Sequence, residues 1–145
     1  MTAPDAPAVV RVERDIAAPP DVVFDAWTDP DSLRIWMAPE PLAVASAECD
    51  PRVGGSYRIV MIDESVAFEH WGEYEELDPP HRIVFTWRAN HLGDTVTRVH
   101  VLLTPTSRGT RMVIEHQGLD EASGPPHLQG WTSIAERLAV ALQPV

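Results

Sequence analysis

A chain of 145 residues that is 44% hydrophobic and 23% charged fits one soluble globular domain, large enough to bury roughly 70% of its unfolded surface. Its net charge of −11 disfavours nucleic acid and anionic membrane as partners, because both are polyanions. The single cysteine, Cys49, excludes a disulfide framework and points to the cytoplasm, while the N-terminus has neither the basic region nor the apolar run of a signal peptide or membrane span.

Residues 1–7 read as a disordered tail rich in Ala and Pro, and residues 8–145 as a single domain. Ala8 to Ile16 is the first strand, with Val10 and Val12, and Asp15 as a third candidate, offset from Val9, Arg11 and Glu13. Pro19, Pro20 and Asp21 open a helix: proline suits the first turn, and the carboxylate suits the positive end of the dipole. Val23, Phe24 and Trp27 form its apolar stripe. Thr28-Asp29-Pro30-Asp31 repeats the start signal for a second short helix carrying Leu33, Ile35, Trp36 and Met37.

Strand two is expected over Leu42 to Asp50. The Gly54-Gly55 pair then turns the chain, since glycine accepts positive φ without steric cost. Strand three, Ser56 to Ile62, puts Tyr57, Ile59 and Met61 on one face. Strand four, Ala67 to Leu77, carries Trp71 and Gly72, with a bulge or close backbone approach expected at the glycine. Asp78-Pro79-Pro80-His81 breaks the ladder. Strand five, His81 to Ala89, alternates cleanly, Ile83, Phe85 and Trp87 against Arg82, Val84, Thr86 and Arg88.

Strand six, Thr95 to Thr104, places Thr97, Val99, Val101 and Leu103 inward and Arg98 and His100 outward. Strand seven, Thr110 to Gln117, places Met112, Ile114 and His116 inward. After a loop from Gly118 to Pro126, His127 to Leu142 is a helix of about four turns. Its stripe is Leu128, Trp131, Ile134, Ala135, Leu138 and Leu142, with Gln129, Ser133, Glu136 and Arg137 off it. The fold class is therefore α+β: a curved seven-stranded antiparallel sheet, two short helices after strand one, and a long C-terminal helix covering one face.

The series Ala18-Pro-Pro-Asp-Val-Val-Phe-Asp-Ala-Trp27, Thr28-Asp-Pro, Trp36 followed by Pro39, Asp50-Pro-Arg-Val-Gly-Gly55 and Gly72-Glu-Tyr through Asp78-Pro-Pro-His-Arg82 resembles the START-like, helix-grip superfamily. That superfamily includes the birch-pollen-allergen fold and the polyketide cyclases. Phe85-Thr-Trp87, Gly109-Thr-Arg111, His116-Gln-Gly118 and Gly130-Trp131 complete the series. Within the superfamily the chain is similar to the branch named after the C-terminal domain of the activator of the heat-shock-protein 90 ATPase. The resemblance implies a deep cavity between the sheet and the last helix. Members bind lipids, polyketides or hormones, some are cyclases or dehydratases, and the name-giving domain binds a chaperone. One fold hosts many functions, so the resemblance indicates the fold more narrowly than the activity.

The residues expected to line such a cavity are Trp36, Tyr57, Trp71, Phe85, Trp87, Val99, Met112, His116, Trp131 and Ile134. Aromatics there either bind a flat apolar ligand or fill the core. His116 has two readings: an imidazole that orients a ligand or acts as a base, with Tyr57 as a second proton donor, or a core histidine satisfied by its neighbours.

The other histidines have no metal-ligand spacing, so no metal and no cofactor is expected. Cys49 has no cationic activator nearby in sequence. Glu73, Glu75, Glu76 and Asp78 read as a solvated face. The expected partner is an apolar small molecule, namely a lipid, a polyketide or another aromatic metabolite. An open sheet edge also allows a homodimer. The alternatives are a polyketide cyclase- or dehydratase-like enzyme using the same cavity, and a co-chaperone-like interaction domain.

Overall fold

The computed structural model describes residues 8–143; the tail expected over residues 1–7 lies outside them. The elements in chain order are β1 (Ala8–Ile16), α1 (Pro20–Thr28), α2 (Pro30–Trp36), β2 (Ala43–Cys49), β3 (Ser56–Asp63), β4 (Val66–Asp78), β5 (Arg82–Ala89), β6 (Thr97–Thr106), β7 (Gly109–Leu119) and α3 (Gly124–Ala141). One 3-10 turn, Asn90–Leu92, lies between β5 and β6. The strands form one open sheet in the order β1-β7-β6-β5-β4-β3-β2, and every neighbouring pair is antiparallel. Hairpins make each step except one. The two short helices carry the chain from edge strand β1 to the opposite edge, β2.

Proline sets each helix start. Pro20 and Pro30 open α1 and α2, and prolines again occupy the first turn of α3, where an N–H would have no intrahelical partner. For that reason α3 begins at Gly124, three residues before the start expected from the apolar stripe. The Asp29 carboxylate caps α2 by accepting from the Asp31 N–H at 3.0 Å, the usual service of an aspartate at that position.

The period-2 pattern holds along the inner face. Ile59 and Met61, Ile83 and Phe85, Val99 and Val101, and Met112 and Ile114 are all buried there. On β1 the face continues through Ile16, while Asp15 is exposed. Ile35 (69% exposed) and Leu128 (44% exposed) leave the stripes expected of them. α2 has only two turns and buries Leu33 and Trp36, so Ile35 falls on the solvent side, where it borders the same outer groove as Leu128.

Gly72 is where two strands come unusually close. A Cβ there would stand 2.1 Å from the Thr86 carbonyl oxygen, so only glycine fits. The register then shifts by one residue between Tyr74↔Phe85 and Glu76↔Val84, a bulge that bends the strand.

The space between sheet and helices is filled by rings. Trp27 meets Trp36 edge-on with centroids 4.8 Å apart, and lies 6.2 Å from both Phe85 and Trp131. The Trp27 indole N–H points to the Met112 sulfur at 3.4 Å. Tyr57 packs edge-on to Phe85 at 5.4 Å. Rings of this size each bury on the order of 150–250 Å², and they leave only a void of about 10 Å³ among Trp27, Tyr57, Tyr74 and Phe85. The resemblance implied a deep cavity, but here aromatics close its floor.

Candidate functional site

What remains open is a cleft of about 260 Å³ at one end of this interior, between the sheet, α3 and the segment after α2. Met61 of β3, Phe68 and His70 of β4, and Trp87 of β5 supply its sheet side; Trp131 and Ile134 of α3 supply the other. Pro39, Leu42, His91, Pro126, His127 and Gly130 form the rim. The segment after α2 is tied down rather than loose. Arg137 donates from Nη1 to the carbonyls of Ala38 and Leu42 at 2.6 and 2.8 Å, and the Glu40 N–H donates to Ser133 Oγ at 2.9 Å. Ser133 and Arg137, off the apolar stripe of α3, thus hold the wall that Pro39 and Leu42 present.

Of the ten residues expected to line a cavity, Trp87, Trp131 and Ile134 do so. Trp36, Val99 and Met112 are fully buried in the packed core. Tyr57 and Phe85 border only the small inner void on this side of the sheet. Trp71 lies on the opposite face. Gly72, between Trp71 and Glu73, is the residue of β4 that points in, so strand parity sends Trp71 out with Glu69 and Glu73. There it stacks under the Arg88 guanidinium, 5.6 Å from the ring centroid.

His116 lies behind the cleft, and its hydrogen bonds define its state. Trp131 Nε1–H donates to His116 Nδ1 at 2.9 Å, so Nδ1 is the bare nitrogen. Nε2 therefore carries the proton and donates to Thr97 Oγ1 at 2.6 Å, and that hydroxyl donates to the Trp87 carbonyl at 2.9 Å. Burial, followed by the neighbouring His127 and His70, pushes His116 down to about 3. Its only lone pair is occupied, and it is neutral at ordinary pH. The ring fixes Trp131, a wall of the cleft, to β7. Tyr57 is similarly committed: its hydroxyl donates to the Thr86 carbonyl at 2.5 Å, and burial raises it well above the usual tyrosine range.

Tertiary structure adds a histidine group that no spacing in the sequence marks. The rings of His70 and His91 have centroids 5.7 Å apart, and His91 stacks on His127 at the same separation. Burial, then His91 and His127, lowers His70 to about 4, and burial lowers His91 as well. The His127 Nδ1–H donates to the Ser123 carbonyl at 2.8 Å, since a carbonyl can only accept. No group of three His, Cys, Asp or Glu side chains among the described residues is arranged to hold a metal ion.

Elsewhere the candidates are engaged. Glu75 pairs with Arg98 at 2.5 Å and Glu76 with Arg82 across the solvated face. Half-buried Cys49 donates to the Thr28 carbonyl at 3.4 Å, and burial raises its thiol, the reverse of what a nucleophile needs. A larger groove of about 830 Å³ on the outer face is bordered by Glu48, Arg58, Glu69, Glu73 and Arg88. It is an open surface on which the Arg58–Glu69 ion pair, at 2.7 Å, and other charged groups are interleaved with Trp71 and Val96. No described helix is long and apolar enough to cross a membrane.

Comparison with known proteins places these features in a family. The family model described as Activator of Hsp90 ATPase homolog 1-like protein matches residues 17–143. Among solved structures, a protein of Chromobacterium violaceum is 30% identical, with a TM-score of 0.87 over 96% of this chain and 100% of its own. The AHSA1 protein of Silicibacter pomeroyi is 28% identical, with a TM-score of 0.81 over 93% of this chain and 97% of its own. A protein of Nitrosomonas europaea is 25% identical, with a TM-score of 0.81 over 93% and 94%. No curated protein matches the chain.

Proposed function

The chain belongs to the Activator of Hsp90 ATPase homolog 1-like family, and from that premise we propose that it binds a small apolar molecule in the cleft between β3–β5 and α3. The observation that carries this reading is the cleft itself, about 260 Å³ with tryptophan walls beside an otherwise closed core. Size narrows the ligand. An apolar cavity of about 150 Å³ holds benzene, and drug-sized pockets start near 300 Å³. A compound of one or two rings fits, whereas a sterol or a long acyl chain would have to leave much of its length in water. Binding without chemistry is favoured over a cyclase or dehydratase reading, because both ring nitrogens of His116 and the hydroxyl proton of Tyr57 are engaged by the fold.

Gly130 supplies the test. It lies within α3 on the cleft rim, and a Cβ there would meet only Pro39, at 3.9 Å. Gly130→Ala should stabilise the helix by up to about 1 kcal/mol. Gly130→Leu should fold at least as well as the natural protein while its side chain occupies the cleft. In a thermal-shift screen of one- and two-ring aromatics, a ligand at 100 times its Kd adds about 2.7 kcal/mol to the natural protein. Gly130→Leu should show no such gain. Equal stabilisation of both proteins would place the ligand elsewhere.

A further inference from the structure

The rim of the cleft carries two histidines from distant parts of the chain. His91 lies in the 3-10 turn after β5 and His127 in the first turn of α3. Their rings stack with centroids 5.7 Å apart and planes at 29°, and both border the cleft. His70 of β4 stands edge-on to His91 at 5.7 Å, and His116 of β7 stands edge-on to His127 at 5.1 Å. Four imidazoles thus touch in series beside a cleft that, among the described residues, no Asp, Glu, Lys or Arg lines.

Burial divides the four. His70 and His116 are buried and held neutral down to about 4 and about 3, first by burial and then by the neighbouring histidines. His91 is exposed and His127 half-buried, so the rim pair is the part of the series that water, and with it a proton, reaches. The surroundings do not favour a charge there. β4 and β7 present the His70 and His116 rings, the segment after α2 presents Pro39 and Leu42, and the N-terminal end of α3 disfavours a cation. The acids are turned elsewhere. Glu69 pairs with Arg58 on the outer face, and Glu40 lies toward Arg137. Asp120, whose field reaches His127, is exposed and accepts from the Ser123 N–H at 2.7 Å.

An apolar molecule filling the cleft takes water away from both rim rings. A charged imidazole loses more by this than a neutral one, and two charged rings at the stacking distance repel. Ligand and proton therefore compete, and the competition is reciprocal: each lowers the affinity for the other. We infer that the stacked His91–His127 pair makes the cleft a proton-sensitive site, which holds a neutral apolar molecule at neutral pH and releases it on acidification. This inference rests on the reading of the cleft as a ligand site.

The test is calorimetric titration with 2-naphthol, a phenol that stays neutral across the range used. At pH 6.5, comparing the heats in two buffers of different ionisation enthalpy counts the protons exchanged on binding. The expected result is release of about half a proton per ligand, and binding about tenfold weaker at pH 5.5 than at pH 7.5. The double variant His91→Phe/His127→Asn keeps a ring at one position and an N–H donor for Ser123 at the other, but neither side chain titrates. Its affinity should change by less than about twofold between the two pH values. Proton uptake or no proton exchange in the natural protein overturns the inference and leaves the cleft reading standing. So does an equal acid loss in both proteins, as a general loosening of the fold would give. No binding of 2-naphthol at either pH removes the cleft reading and this inference together.

Discussion

Replacing His116 with leucine is expected to destabilise the protein by about 3 kcal/mol. The imidazole sits at the middle of a buried relay from the Trp131 indole through Thr97 to the Trp87 carbonyl, with links of 2.9, 2.6 and 2.9 Å. Leucine fills similar volume but takes away both ring nitrogens. The Trp131 N–H is then left in the core without an acceptor, and the Thr97 hydroxyl loses one of its partners. For a domain of this size the loss corresponds to roughly 6–12 °C in Tm. His116→Asn, whose side-chain oxygen can take the Nδ1 position, should recover part of it. A double-mutant cycle with Trp131→Phe should show coupling of about 1 kcal/mol or more. Additive effects would mean that the hydrogen bond contributes nothing to stability. Because Trp131 walls the cleft, the same variant should also weaken ligand binding.

Stability should fall as the solution is acidified, well before carboxylates titrate. His70 and His116 are held neutral down to about 4 and about 3, mainly by burial, whereas a histidine in the unfolded chain takes its proton near 6.5. Between those values the unfolded state binds more protons than the folded one, so stability rises with pH across the window and is lost as pH falls through it. From pH 7.5 to 5 the two groups together remove about 4 kcal/mol of unfolding free energy. Glu69, Glu75 and Asp120 are lowered by hydrogen bonds to Arg58, Arg98 and Ser123. Their contribution is lost only at lower pH, below the ordinary carboxylate range. Urea unfolding at pH 7.5 and 5 measures the effect. His116→Asn should show about half the pH dependence, and a flat profile in the natural protein would refute buried neutral histidines.

Much of the architecture was readable because alternation and punctuation agree. Ile83, Phe85 and Trp87 share one face of β5, prolines open all three helices, and Gly72 marks a close strand approach. Trp71 shows where the reading erred. Its size suggested an inward residue, yet Glu69 and Glu73, two positions either side, share its face and point it out. Parity was the better guide than hydrophobicity. The cleft was less legible. Its three histidines come from β4, from the turn after β5 and from α3, with no spacing in common, so only the folded chain brings them together. The depth of the cavity was also out of reach, because it depends on how Trp27, Trp36 and Phe85 pack rather than on where they fall in the sequence.

The most direct test of the cleft is a two-dimensional ¹H–¹⁵N spectrum of the five tryptophan indole groups during titration with 2-naphthol. Trp87 and Trp131 line the cleft, Trp36 is sealed in the core, and Trp71 lies on the outer face. Selective shifts of the Trp87 and Trp131 indole resonances, with Trp36 and Trp71 unmoved, are the predicted result. A shift confined to Trp71, or none at any indole under saturating ligand, would contradict it.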